Sequence, residues 1–175
     1  QRDGGRSMTM HLLDLGHKTV FYVGRVQGAT DNTRANGWKD ALEERGIEAP
    51  EPIVVSDGNL EKAVKAGHEL GRRGEATAIF ADSDETAIAV IRGLRETGRR
   101  VPDDVSVVGF DDRNFGALWE PSLTSYTQNF LDMGERSFRM LFEQIQAKRM
   151  GADMPPSQIE VVQGQPCLRA SEREI

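Results

Sequence analysis

The chain has 175 residues, 22 of them basic and 28 acidic, which gives a formal charge of −6 at neutral pH. That balance argues against a strongly nucleic-acid-binding chain, and the composition argues against a collagen-like or membrane-spanning one. Hydrophobic residues make up 38% and glycine adds 18 positions, so the apolar share reaches the usual globular level of roughly one half. Folding a chain of this size buries roughly 70% of its unfolded surface, so neither a disulfide nor a metal is needed for stability. Cys167 stands alone and no Cys/His cluster has zinc spacing, so we expect no metal, no cofactor and a reducing, cytoplasmic compartment. Gln1 to Ser7 is polar and glycine-rich, unlike an export signal.

In chain order, Met8–Leu15 reads as a helix stopped by Gly16, and Thr19–Val23 as the first strand. A helix near Thr33–Arg45, a strand at Pro52–Val55, a helix at Leu60–Arg73 and a strand at Ala78–Ala81 follow. The helix Asp84–Thr97 and the strand Val105–Val108 continue the rhythm, with Gly46, Gly74 and Gly98 where helices commonly stop. Unbroken apolar strands alternating with amphipathic helices predict an α/β fold, a doubly wound parallel sheet with helices on both faces. After Val108 the pattern changes to an irregular stretch Gly109–Pro121, a short strand Leu123–Thr127 and a long helix Phe130–Met150. Gln158–Leu168 reads as one or two further strands. Phe138, Leu141, Phe142 and Ile145 put one apolar stripe on the long helix, which needs a partner surface, so Leu131 onward is expected to belong to an incomplete second subdomain. The helix Asp84–Thr97 opens apolar all round (Thr86-Ala87-Ile88-Ala89-Val90-Ile91), which suits either a homodimer contact or thick cover from its own chain.

Ligands of open parallel sheets bind beyond the carboxyl ends of the strands. The residues there are polar: Asp31, Asn32 and Arg34 after the first strand, Ser56 to Asn59 after the second, Asp82, Ser83 and Asp84 after the third, Asp111 to Asn114 after the fourth. Asp31, Ser56, Asp84 and Asp111 are therefore predicted to gather on one rim of the sheet. Neither a phosphate-cradling glycine loop nor its lysine is present, whereas carboxylates, amides and one guanidinium suit the hydroxyls of a sugar or other polyol. A rival reading takes Asp82-Ser83-Asp84-Glu85-Thr86 as the Asp-x-Asp-x-Thr of a magnesium-dependent phosphatase. Asp84 as a helix N-cap beside a solvated Asp82 is the plainer alternative.

Several motifs together resemble the ligand-sensing domain of LacI/GalR-family transcriptional repressors, a fold similar to periplasmic sugar-binding proteins. They are His11 to Lys18, Arg34-Ala35-Asn36-Gly37-Trp38, Ala78 to Asp84, Arg99 to Asp112 with its Val-Val-Gly-Phe-Asp-Asp ending, Pro121 to Gln128 and Met133-Gly134. The resemblance implies effector contacts from Arg34 and Asp84, with Ser83 beside them, Asp111 as a further candidate and Gln128 where the chain crosses between subdomains; Trp119 suits either the cleft lining or core packing equally. It implies that residues 1–127 form the second, effector-binding subdomain and that 128–175 belong to the first, most of which is absent. It also implies no catalysis and no membrane, a homodimer that binds a small-molecule effector, and operator DNA contacted only through a missing N-terminal domain. The alternatives in view are an exported sugar-binding protein of the same fold and the phosphatase.

Overall fold

The structure is a computed structural model and describes residues 1–26, 33–55 and 58–175. The chain forms two compact units, 1–127 with 165–175, and 128–164.

The first unit opens with helix α1 (Arg2–Asp14) and strand β1 (Phe21–Gly24), then α2 (Arg34–Glu44) and β2 (Ile53–Val54). Helix α3 (Leu60–Arg72) and β3 (Ala78–Ala81) follow, then α4 (Asp84–Glu96) and β4 (Ser106–Asp111). A short α5 (Asn114–Leu118) occupies part of the stretch read as irregular, and β5 (Thr124–Thr127) closes the run. Helix α6 (Phe130–Met150) lies in the second unit, and β6 (Gln165–Cys167) returns to the first. Strand order is β2-β1-β3-β4-β5-β6, parallel throughout except for β6, which runs antiparallel to β5.

Strand residues alternate between two cores, as a pleated sheet covered on both faces requires. Tyr22, Ala78, Phe80, Val108 and Phe110 pack with Met8, Leu12, Trp38 and Leu42 from α1 and α2. Phe21, Val23, Ile79, Ala81 and Val107 pack on the opposite side with Ala66, Leu70, Val90, Ile91 and Leu94 from α3 and α4. The apolar start of α4 is thus covered largely by its own sheet and by α3. Helices α1 and α2 touch backbone to backbone, because a Cβ on Gly5 would overlap the Arg34 carbonyl and one on Gly37 would overlap that of Arg2. That contact, with the bidentate Arg2–Asp40 pair at 2.5 and 2.7 Å, fixes where α2 begins.

One expectation is corrected. Residues 165–175 do not leave with 128–164. Their strand pairs with β5, and Ser171 bonds Val107 by both its carbonyl and its hydroxyl, so the tail is stitched to the first unit's sheet. In the second unit taken by itself, Phe138, Leu141, Phe142 and Ile145 form an exposed stripe along α6, with the rings of Phe138 and Phe142 stacked 6.0 Å apart.

Candidate functional site

The chain steps from β1 outward to β2, then reverses through β3, β4 and β5, so the topology switches direction between β1 and β3. The crevice at the carboxyl ends of those two strands is where open α/β sheets bind ligands. A cavity of about 390 Å³ opens there, lined by Arg25, Val55, Asp82, Ser83, Glu85 and Asp111 among others. That volume lies within the range of small-molecule sites, roughly 300 to 1,000 Å³.

Each lining group is placed by the end of an element. Arg25 follows β1, and both its backbone N–H and its side chain donate to the Asp82 carboxylate, at 2.9 and 3.3 Å. Asp82 follows β3, is buried, and accepts a third bond from the Thr86 hydroxyl at 3.0 Å. The Ser83 hydroxyl caps α4 by accepting the Thr86 N–H at 3.2 Å, so Ser83 rather than Asp84 is the N-cap, and Asp82 is not the solvated residue expected.

Arg34 opens α2 directly after its N-cap, Thr33. Its guanidinium donates to Asp111 at 2.7 Å, to the Asp82 carbonyl, and to the Gln1 side chain at 2.7 Å. It also lies 3.9 Å from the centroid of the Phe110 ring. A planar cation over an aromatic face and bidentate to a carboxylate has little freedom left, so Arg34 and Asp111 act as one preorganised pair. Asp111 supplies the pocket with a carboxylate whose charge is already balanced.

Asp84 departs from expectation. It is fully buried, accepting the Ser125 hydroxyl at 2.5 Å and the Arg113 N–H at 2.5 Å. Both oxygens are engaged within the fold, so the expected contact from Asp84 to an effector is not met by this placement. Gly109 makes the room, since a Cβ there would strike the Asp84 carboxylate. Burial pushes the Asp84 pKa up to about 6, against the pull of its two hydrogen bonds and with help from the Asp111 and Asp112 charges. A carboxylate turned inward in this way also leaves the Asp-x-Asp-x-Thr reading without its paired acid.

Trp119 lines a different, larger groove of about 640 Å³ on α3 and α4, with Leu60, Val64, Ile88, Ala89 and Arg92. The structure does not bring it to the cavity lining. Gln128 opens the second unit directly past β5. Asp31, Asn32 and Ser56 lie outside the described residues. Of the four residues predicted to share one rim, Asp111 lines the cavity, Asp84 is turned inward and the other two lie outside the described residues, while Arg34 is paired with Asp111 without lining the cavity itself. Sequence reasoning missed Arg25, which stands one residue past β1 and was detectable by the strand-end rule. It also missed Ser125, whose bond to Asp84 depends on a pairing far apart in sequence.

A model of the periplasmic binding protein-like domain matches residues 9–171. The chain belongs to this family. Among curated members of similar sequence, the HTH-type transcriptional regulator CelR of Thermobifida fusca is 37% identical over 145 residues, covering 81% of this chain and 43% of its own. The HTH-type transcriptional repressor PurR of Haemophilus influenzae is 34% identical over 155 residues, covering 85% and 45%. The chain thus spans under half the length of these relatives. Among solved structures, a LacI family transcriptional regulator from Enterococcus faecium with bound ribose superposes with a TM-score of 0.85 at 28% identity, over 99% of this chain and 63% of that one. A CelR–cellobiose complex gives 0.84 at 33% identity, over 97% and 51%. The family's sheet-and-helix architecture and its LacI-type regulators are therefore what the motifs resemble, and the phosphatase alternative is not favoured.

Proposed function

We propose that this chain is the effector-sensing domain of a LacI-type transcriptional repressor, in which a small molecule of the sugar class binds against Asp111 and Arg25 and changes operator affinity. The single observation that carries this reading is the Arg34–Asp111 pair held rigid beside a cavity at the β1/β3 switch point. Sugar hydroxyls donate to carboxylates such as Asp82, Glu85 and Asp111 and accept from guanidinium groups, and one cation against three carboxylates suits a neutral ligand better than a polyphosphate. Ribose and cellobiose in the related structures support the same class. Asp31, Asn32 and Gln128 stay among the contacts that the strand-end pattern and the family resemblance lead one to expect.

In this reading the protein catalyses no reaction, works in the cytoplasm and meets operator DNA through a separate reader domain. Among the described residues no helix is long and apolar enough to cross a membrane. The protein works as a homodimer, for which the groove on α3 and α4 is the natural face. Its lining combines the apolar Val64, Ile88 and Trp119 with Glu85, Arg92, Arg95 and Glu96, and a patch carrying both signs of charge can meet its own copy about a twofold axis. The ligand shifts the regulator only by its differential affinity for two conformations, typically about 1 to 3 kcal/mol of coupling.

The test is calorimetric titration of the intact protein with ribose, cellobiose and a panel of other sugars. Asp111→Ala, which removes a charge-assisted bond to the sugar, and Arg34→Ala, which releases the carboxylate that Arg34 holds, are each expected to weaken sugar binding by about 1.5 to 3 kcal/mol, roughly tenfold or more. Undiminished affinity in both variants would refute the assignment.

A further inference from the structure

Asp111 reaches the cavity from a backbone that few side chains tolerate. It has φ 97°, and Asp112 after it has φ 51°, two consecutive non-glycine residues in the left-handed region. Such a conformation persists only where its surroundings over-determine it.

The surroundings here are a connected set of hydrogen bonds, none of whose residues lines the cavity. The Asp112 N–H donates to Ser125 Oγ at 3.1 Å, and the Ser125 hydroxyl donates onward to Asp84 Oδ1 at 2.5 Å. The other Asp84 oxygen, Oδ2, accepts the Arg113 N–H at 2.5 Å. From the far side, Arg169 places one guanidinium nitrogen 2.6 Å from Asp112 Oδ1 and another 2.7 Å from the Leu123 carbonyl. Its own N–H donates to the Thr124 hydroxyl at 2.7 Å, which holds its main chain beside β5. A guanidinium is suited to this task, because its rigid fork spans two acceptors on different elements where an ammonium is a point charge.

We propose that Arg169, acting with Ser125 and Asp84, is a positioning residue for effector binding. It contacts no ligand, but it clamps the 111–113 turn so that Asp111 presents its carboxylate to Arg34 and to the cavity. The inference rests on the sensing role proposed above and deepens it: affinity at the site is set partly by a side chain supplied from the C-terminal segment, far from Arg34 and Asp111 in sequence.

The experiment uses the intact protein with Arg169→Met, Arg169→Lys and Ser125→Ala. Two readouts need no ligand: hydrogen exchange at the Asp112 and Arg113 amides, and nitrogen NMR of the Arg34 guanidinium, whose rotation is restricted while it is paired with Asp111. Arg169→Met is expected to raise exchange at both amides about tenfold and to free the Arg34 guanidinium, with circular dichroism unchanged. Arg169→Lys should restore part of both effects, since an ammonium satisfies one acceptor of the two. Whichever of ribose or cellobiose binds the unsubstituted protein should bind Arg169→Met about tenfold more weakly. Unaltered Arg34 signals in both Arg169→Met and Ser125→Ala would overturn the proposal, because Arg169 would then be fastening the tail alone. If Arg169→Met does not fold, Ser125→Ala, which removes one hydroxyl, decides the matter by the same signals. Failure of both sugars to bind the unsubstituted protein would count against the sugar-sensing role, while the ligand-free readouts would still decide the positioning role.

Discussion

Replacing Asp84 with asparagine should change how stability depends on pH by an amount that the burial of the group sets. In the unfolded chain this carboxyl titrates near its ordinary value of 3.8; in the fold it titrates at about 6. A raised pKa means that the folded state holds the proton more tightly, so the group's favourable contribution is complete below about pH 4 and is lost as pH rises through 6. The gap between the two values corresponds to roughly 3 kcal/mol, at about 1.4 kcal/mol for each tenfold change in proton affinity. The amide of the Asp84→Asn variant has no such dependence. Urea unfolding of both proteins from pH 4 to pH 7.5, extrapolated to water, should therefore show their difference moving by about 2.5 kcal/mol in favour of the variant as pH rises, most of that gap. Titrating groups remote from Asp84 are common to both proteins and cancel, while Asp111 and Asp112, whose charges act on Asp84, titrate with it. The comparison does not depend on whether the amide fits Ser125 and Arg113 well, which changes the offset and not the slope. Parallel curves would mean that Asp84 is solvated, and the inward-turned carboxylate would be refuted.

His17 should give the opposite sign. It is buried between the hydroxyls of Thr77 and Ser106, 3.0 Å from each, and burial, aided by the charges of Arg173 and His11, holds its pKa below the usual 6.5. The fold therefore favours the neutral ring, stability is lost as pH falls below about 6.5, and His17→Gln should flatten that acid limb in thermal melts. Gly37→Ala tests the α1–α2 contact: helix propensity returns about 1 kcal/mol, but overlap with the Arg2 and Arg6 backbone costs about 1 to 3, so the urea midpoint should fall. Ile88→Asp, in the groove on α3 and α4, should shift sedimentation of the intact protein from dimer to monomer; an unchanged dimer would place the interface elsewhere.

The strand β3 was legible to the residue, because Ala78–Ala81 is an unbroken apolar run between polar neighbours. The strand β4 runs three residues beyond its predicted end, through Gly109, since that glycine makes room for Asp84 and does not end the strand. The helix α1 begins six residues before the predicted start. Gly4 and Gly5 read locally as breakers, yet they are where the aromatic rings of Phe110 and Tyr126 and the Arg34 backbone press closest. Arg34 and Asp111 were singled out by strand-end position and by motif, and the fold pairs them. Asp84 was misread because motif position says which residue is present but not which way it faces, and only the packing beneath the 111–113 turn decides that. His17 ties the starts of β3 and β4 together, a pairing of distant hydroxyls that no local pattern announces.

Strands β5 and β6 are the chain's two tethers: it departs toward the second unit after Thr127 and comes back at Gln165. One tether carries Ser125, and the other leads directly into Arg169, so Asp112, the residue after Asp111, is bonded from the outgoing and the returning stretch at once. The two crossings of the chain thereby share one buckle, fastened at a single aspartate.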